Sequence, residues 1–171
     1  MLVAFKNNWK LYLIEACGLG VFMVSACLFA TILEYPHSSI HTAKESSFAR
    51  NVLMGIAMGI TAFGILASPW GKLSGAHVNP AVTLVNYRLR KISLIDSIWY
   101  IIFQTLGGTL AVYMMQLLLG NALISKPVES VVTIPYCGHP MHALVMELII
   151  AFILMFTVQA VSNSIYSRHT P

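Results

Sequence analysis

The chain has 171 residues, of which 57% are hydrophobic and 9% charged; its net charge is +4 and its mean hydropathy +0.76. A soluble domain carries about a quarter charged residues, so the composition excludes an ordinary soluble fold and places the chain in a lipid bilayer. It also excludes a nucleic-acid partner, because no soluble basic patch with interleaved aromatics is present.

A spanning helix needs roughly 20 predominantly apolar residues, and four segments reach that length. The first, 11–33, carries a single charge, Glu15, together with Cys17 and Cys27, which read as small apolar core residues. Its length, its glutamate and the lack of a small-residue cleavage site set it apart from a secretory signal peptide. Residues 34–50 form an outer loop. The second span, 51–70, is rich in small residues. Its Gly55-Ile-Ala-Met-Gly59 pattern predicts a close approach of another helix, and Ser68-Pro-Trp-Gly71 ends it. A Gly-containing loop at 71–77 leads into an apolar piece, 78–87, that is too short to span and is therefore a re-entrant candidate. The third span, 95–119, carries Gln104 and the pair Gly107-Gly108. A polar loop at about 120–140 precedes the fourth, 141–162, which holds Glu147, and residues 162–171 form a tail. The expected fold is an all-α membrane protein of four transmembrane helices plus one re-entrant half-helix.

The cations sort by side. Lys6, Lys10, Lys72, Arg88, Arg90, Lys91 and Arg168 fall on one face of this topology, and Lys44, Arg50 and Lys126 on the other. The positive-inside rule then puts the N-terminus, the 71–77 loop and the C-terminus in the cytoplasm, with the cell membrane as the expected location.

No constellation for catalysis stands out. There is no supported Ser/His/Asp set and no phosphate-cradling loop, so an enzyme is not expected, nor a cofactor. Cys137-x-His139-x-x-His142, with His37 and His41 in the other outer loop, fits zinc-ligand spacing poorly and reads as surface histidines rather than a metal site. Three cysteines without tight spacing do not make a disulfide framework.

The densest signal is Ser74-Gly-Ala-His-Val-Asn-Pro-Ala-Val-Thr83. Asn79 is an N-cap residue and Pro80 suits the first helical position, where no backbone N–H is needed. A helix therefore starts at membrane depth, with its free N–H groups and positive dipole end aimed at whatever occupies the middle of the bilayer. Glu15 and Glu147 are costly in apolar helices, about 2.5–3.5 kcal/mol each on insertion scales. Each needs a partner, and backbone N–H groups of a re-entrant loop are the expected one. A proton relay is the sharper reading of the same glutamates, and would make the chain a proton-coupled transporter.

Together these residues resemble the major intrinsic protein family, the aquaporins and glycerol facilitators. The 74–83 loop is similar to the family's first signature loop almost letter for letter. Glu15 resembles its first-helix glutamate, Tyr100-Ile-Ile-Phe-Gln-Thr-Leu-Gly107 its third-helix pattern, and Glu147 its fourth-helix glutamate. The resemblance implies a partial aquaporin-like bundle. Residues 1–120 would be the first repeat, 121–140 an outer loop, and 141–171 the first helix of an incomplete second repeat. The interval from Glu15 to Asn79, applied from Glu147, points near position 211. The resemblance thus places the second half-helix outside the chain, as a C-terminal truncation would.

The resemblance further implies a passive channel for water or a small neutral solute such as glycerol, assembled as a tetramer in the bilayer. The implied pore-lining residues are Gly75, Ala76, His77, Val78, Asn79, Pro80 and Ala81, with Met58 (or Gly59) from the second span. Asn79 would donate its amide to the permeant, and the carbonyls of extended backbone at 75–78 would accept from it. Glu15, Gln104 and Glu147 are expected to be buried structural polar residues, Gln104 bonding loop backbone behind the pore. The alternative is a non-conducting truncated member, or an assembly partner that needs a separately supplied second half.

Overall fold

The computed structural model describes residues 2–43, 46–132 and 140–167. Lys44, Cys137, His139 and Arg168 lie outside the described residues. Residues 1–132 form one compact unit and 133–171 a second.

Three helices of the first unit are long and apolar enough to cross a membrane: α1 (Leu2–Glu34), α3 (Ser47–Ala67) and α6 (Leu94–Leu119). Between α1 and α3 lies a short α2 (Ser39–Ala43); α4 (Pro69–Ser74) and α5 (Pro80–Arg88) separate α3 from α6, and α7 (Asn121–Ile124) follows α6. The second unit contains α8 (Pro140–Ser167) where the fourth span was expected; among the described residues its apolar stretch, Met141–Thr157, is shorter than the three spanning helices.

Local chemistry sets these ends. Ser46 caps α3, and Ser93 caps α6 with Asp96 in the first turn, where a carboxylate favours the helix dipole. Ser68 works twice. Its backbone N–H closes α3 onto the Gly64 and Ile65 carbonyls, while its hydroxyl accepts from Gly71 N to open α4. Pro69 can start a helix but not continue one, so the chain turns a corner here. Nothing larger than glycine fits beside it: a Cβ on Gly71 would lie 2.0 Å from the Ile65 carbonyl oxygen.

The unit is built on α1. It runs parallel to α6, as Asn8 bonds Asp96 near one end and Glu15 bonds Gln104 further along. It runs antiparallel to α3, with Ser25 meeting Thr61 at 2.7 Å and Glu34 pairing Arg50. At one end of the α1–α6 seam Phe5, Tyr12, Trp99 and Phe103 cluster. At the other, Cys27, Ala30, Met115, Leu123 and Val128 form a buried core.

The close helix approach expected at Gly55 and Gly59 is absent within this unit: a Cβ on either would meet nothing within 4 Å. It occurs instead at Gly107, where a Cβ would lie 2.1 Å from the Ala16 carbonyl oxygen. The reason is rotation about α3. The Ser25–Thr61 bond turns Thr61 toward α1, and Gly55 and Gly59 sit off that stripe by one helical position or more.

Candidate functional site

The loop 75–79 is positioned by one buried carboxylate. Glu15 is fully buried and accepts four hydrogen bonds. The Ser74 hydroxyl donates at 2.7 Å and His77 N–H at 3.0 Å to Oε1; Val78 N–H donates at 2.7 Å and Gln104 Nε2 at 2.8 Å to Oε2. Two side-chain and two backbone donors therefore converge on the acid, which resolves the cost of placing it in an apolar helix.

That convergence bends the backbone. Of residues 75–78, three are not extended as the sequence reading had them: Gly75 has φ 89°, Ala76 44° and Val78 48°. A left-handed β-branched residue is a true outlier. The physical reason is that successive N–H groups must turn inward to wrap a single anion, as in a backbone nest. Among the described residues no hydrogen bond ends on the carbonyl oxygens of Gly75, Ala76, His77 or Val78.

Asn79 follows in an extended conformation, φ −157° and ψ 127°, and its Oδ1 accepts from Ala81 N at 2.8 Å. Its amide oxygen is thereby committed to the cap, Pro80 occupies the first helical turn, and the Asn79 amide N–H2 has no acceptor among the described residues. Asn79 and Ala81 are exposed and Pro80 is half-buried.

A second layer sits behind. Gln104 does not bond loop backbone as expected. Its Nε2 reaches Glu15 and, at 3.1 Å, the Thr83 hydroxyl, because that amide is drawn to the strongest acceptor in a dry site. Thr83 is fully buried and also meets His77 Nδ1 at 3.2 Å. The Tyr100 hydroxyl donates to the Ser74 carbonyl at 2.8 Å, and its ring packs on His77. The sequence reading gave no role to Ser74, Thr83 or Tyr100. Tyr100 was detectable, standing one turn before Gln104 on the same helix face; Thr83 carried no such signal.

A cavity of about 590 Å³ opens in front of the loop, walled by α1 (Leu13, Ile14, Cys17, Gly18, Val21), by the inner face of α3, and by Ala76 and Val78. Of the expected pore residues, Ala76 and Val78 line it. Gly75, His77, Asn79, Pro80, Ala81 and Met58 do not, His77 being buried in the layer behind. Of the two thiols of α1, Cys27 is buried as expected; Cys17 is exposed and faces this cavity instead of a core. Glu147 is exposed on α8 in the second unit. Among the described residues no group of three or more His, Cys, Asp or Glu could hold a metal ion.

Comparison with known proteins points to one family. The family model described as Major intrinsic protein matches residues 3–169. Aquaporin-4 of Dipodomys merriami is 33% identical over 166 residues, covering 96% of this chain and 49% of that protein. Aquaporin-4 of Mus musculus is 34% identical over 113 residues, 66% of this chain and 34% of that protein. Aquaporin NIP1-2 of Arabidopsis thaliana is 36% identical over 116 residues, 65% of this chain and 39% of that protein. The chain thus spans about a third to a half of the length of the curated relatives it matches. No solved structure matches significantly.

Proposed function

The chain belongs to the major intrinsic protein family, a family of non-enzymatic membrane channels, and from that premise we propose that it forms a passive channel for water or a small neutral solute such as glycerol. The observation that carries this reading is the division of labour in the loop. Glu15 engages the N–H groups of His77 and Val78 from behind, which leaves the carbonyls of residues 75–78 unclaimed beside a cavity walled by Ala76 and Val78. Those carbonyls accept hydrogens from a passing molecule, and the Asn79 amide donates to its oxygen. Much of the facing wall is apolar, with Leu13, Ile14, Val21 and Ile65, and the hydroxyls of Thr61, Ser68 and Ser74 donate inside the protein.

Charge selectivity follows from α5. A helix N-terminus carries roughly half a positive charge, so the end marked by Asn79 repels cations, protons included. A proton relay through Glu15 is disfavoured by its coordination, since all four of its neighbours act as donors toward it.

In this reading the N-terminus faces the cytoplasm of a cell membrane, as the charge bias indicates, and the chain assembles as a tetramer like the family. A second reading is favoured by the share of the relatives that the chain spans: these 171 residues do not conduct alone, and act as an assembly partner of a separately supplied second half. The domain assignment that goes with both takes 1–120 as a first repeat, 121–140 as an outer loop and 141–171 as the start of a second repeat.

Osmotic swelling of proteoliposomes tests the channel. Fast swelling that is lost in Asn79→Asp, where an acceptor replaces the donor, supports a working pore. Swelling no faster than protein-free liposomes rejects conduction by the chain alone and leaves the second reading.

A further inference from the structure

The corner at Ser68-Pro-Trp-Gly71 places a tryptophan at the cavity. α1 and α3 are antiparallel, so Leu13 and Ser68 mark one end of the cavity and Val21 and Thr61 the other, about 12 Å apart along α1. Trp70 stands at the Leu13 end. Its backbone is pinned between Pro69 at the helix start and Gly71, which has no room for a side chain. Trp70 is 73% exposed, so little of its surface is covered by protein.

The wall near it holds few donors. Thr61 donates its hydroxyl proton to the Ala57 carbonyl, Ser68 to the Ile65 carbonyl and Ser74 to Glu15. Each hydroxyl has one proton to give, so all three are spent inside the protein. Cys17 offers a thiol, a weak donor. The indole N–H of Trp70 has no acceptor among the described residues, and it is the one strong side-chain donor of the cavity lining left uncommitted.

The geometry points to Trp70 as a specificity-determining residue whose indole N–H recognises the oxygen of a permeating polyol or amide where it enters the cavity. This rests on the channel reading. A solute must shed water on entering an apolar passage, and a hydroxyl or carbonyl oxygen is compensated only by a donor already present there. Water, smaller and able to stay hydrogen-bonded to the waters before and behind it, depends on that contact less than glycerol or urea does.

Stopped-flow permeability of proteoliposomes tests the assignment, with wild type, Trp70→Phe, Trp70→Ala and, as a control, Trp9→Phe, an exposed α1 residue away from the cavity. Phenylalanine keeps the bulk and removes the N–H, so Trp70→Phe is expected to lower the glycerol-to-water and urea-to-water permeability ratios about three- to tenfold, with water permeability retained as the sign of a folded pore. Trp9→Phe leaves both ratios unchanged. Ratios that stay at wild-type values in Trp70→Phe overturn the assignment and make Trp70 an interfacial aromatic. Wild-type vesicles that pass water but neither glycerol nor urea also overturn it, with the channel reading intact. Vesicles that pass nothing overturn both.

Discussion

Replacing Glu15 by glutamine isolates what its second oxygen does. The new side chain is nearly isosteric, and its Oε1 keeps the bonds from Ser74 and His77, at 2.7 and 3.0 Å in the parent. An N–H2 group now stands where Oε2 accepted from Val78 N–H and Gln104 Nε2. Gln104 can turn its amide round to present oxygen; Val78 N–H cannot move without moving the loop. One buried backbone donor is left unpaired beside a new donor. Together with the loss of charge assistance on the remaining bonds, this costs about 2–4 kcal/mol. Removing a buried charge acts in the opposite sense, but this carboxylate is satisfied by four donors, so little relief is available.

At about 2–4 °C per kcal/mol for a unit of this size, the thermal midpoint of detergent-purified Glu15→Gln is expected to fall by about 5–15 °C. Water flux should drop with it, because Val78 stays at φ 48° only while Oε2 holds it there. A variant with a midpoint within about a degree of wild type and undiminished flux would refute the claim that this carboxylate shapes the loop.

Other perturbations read the remaining parts. Gly107→Ala drives a methyl against the Ala16 carbonyl and should cost about 1–3 kcal/mol or more in the same thermal assay, whereas Gly59→Ala, facing open space, should be neutral or gain up to about 1 kcal/mol in helix propensity. Thr83→Val removes the hydroxyl shared by Gln104 and His77 and is expected to lower stability by about 1–3 kcal/mol, with Thr83→Ser close to wild type. In a Cys137→Ser background, a methanethiosulfonate reagent should label Cys17 and slow water flux, while buried Cys27 stays unreactive; flux that is insensitive although Cys17 is labelled would show that the cavity is not the path.

The features legible in the sequence are those encoded by neighbours along the chain. Asn79-Pro80 announced a helix start because capping is a matter of two or three residues, and the 95–119 apolar run fell almost on α6 because length and hydropathy are local sums. A lone acid in an apolar helix also announced a debt to be met by donors. The identity of all four donors was not available, since Ser74, His77 and Val78 reach Glu15 from 59 to 63 positions away and Gln104 from 89.

Two misreadings share that origin. Alanine and valine carry no preference for left-handed backbone, so Ala76 and Val78 read as extended; only an anion demanding several N–H groups at once turns them over. The Gly55–Gly59 pair permits a close helix neighbour without naming one. In this unit the neighbour is decided by hydroxyls, Ser25 on Thr61, which rotate α3 so that its glycines look outward. The closest crossing falls where Gly107 and Ala111, four residues apart on α6, face Ala16 and Gly20, four apart on α1. Small-residue spacing within one helix therefore predicts less than the pairing of small residues across two, and only the second is fixed by the polar contacts on Glu15 that set α1 and α6 in register.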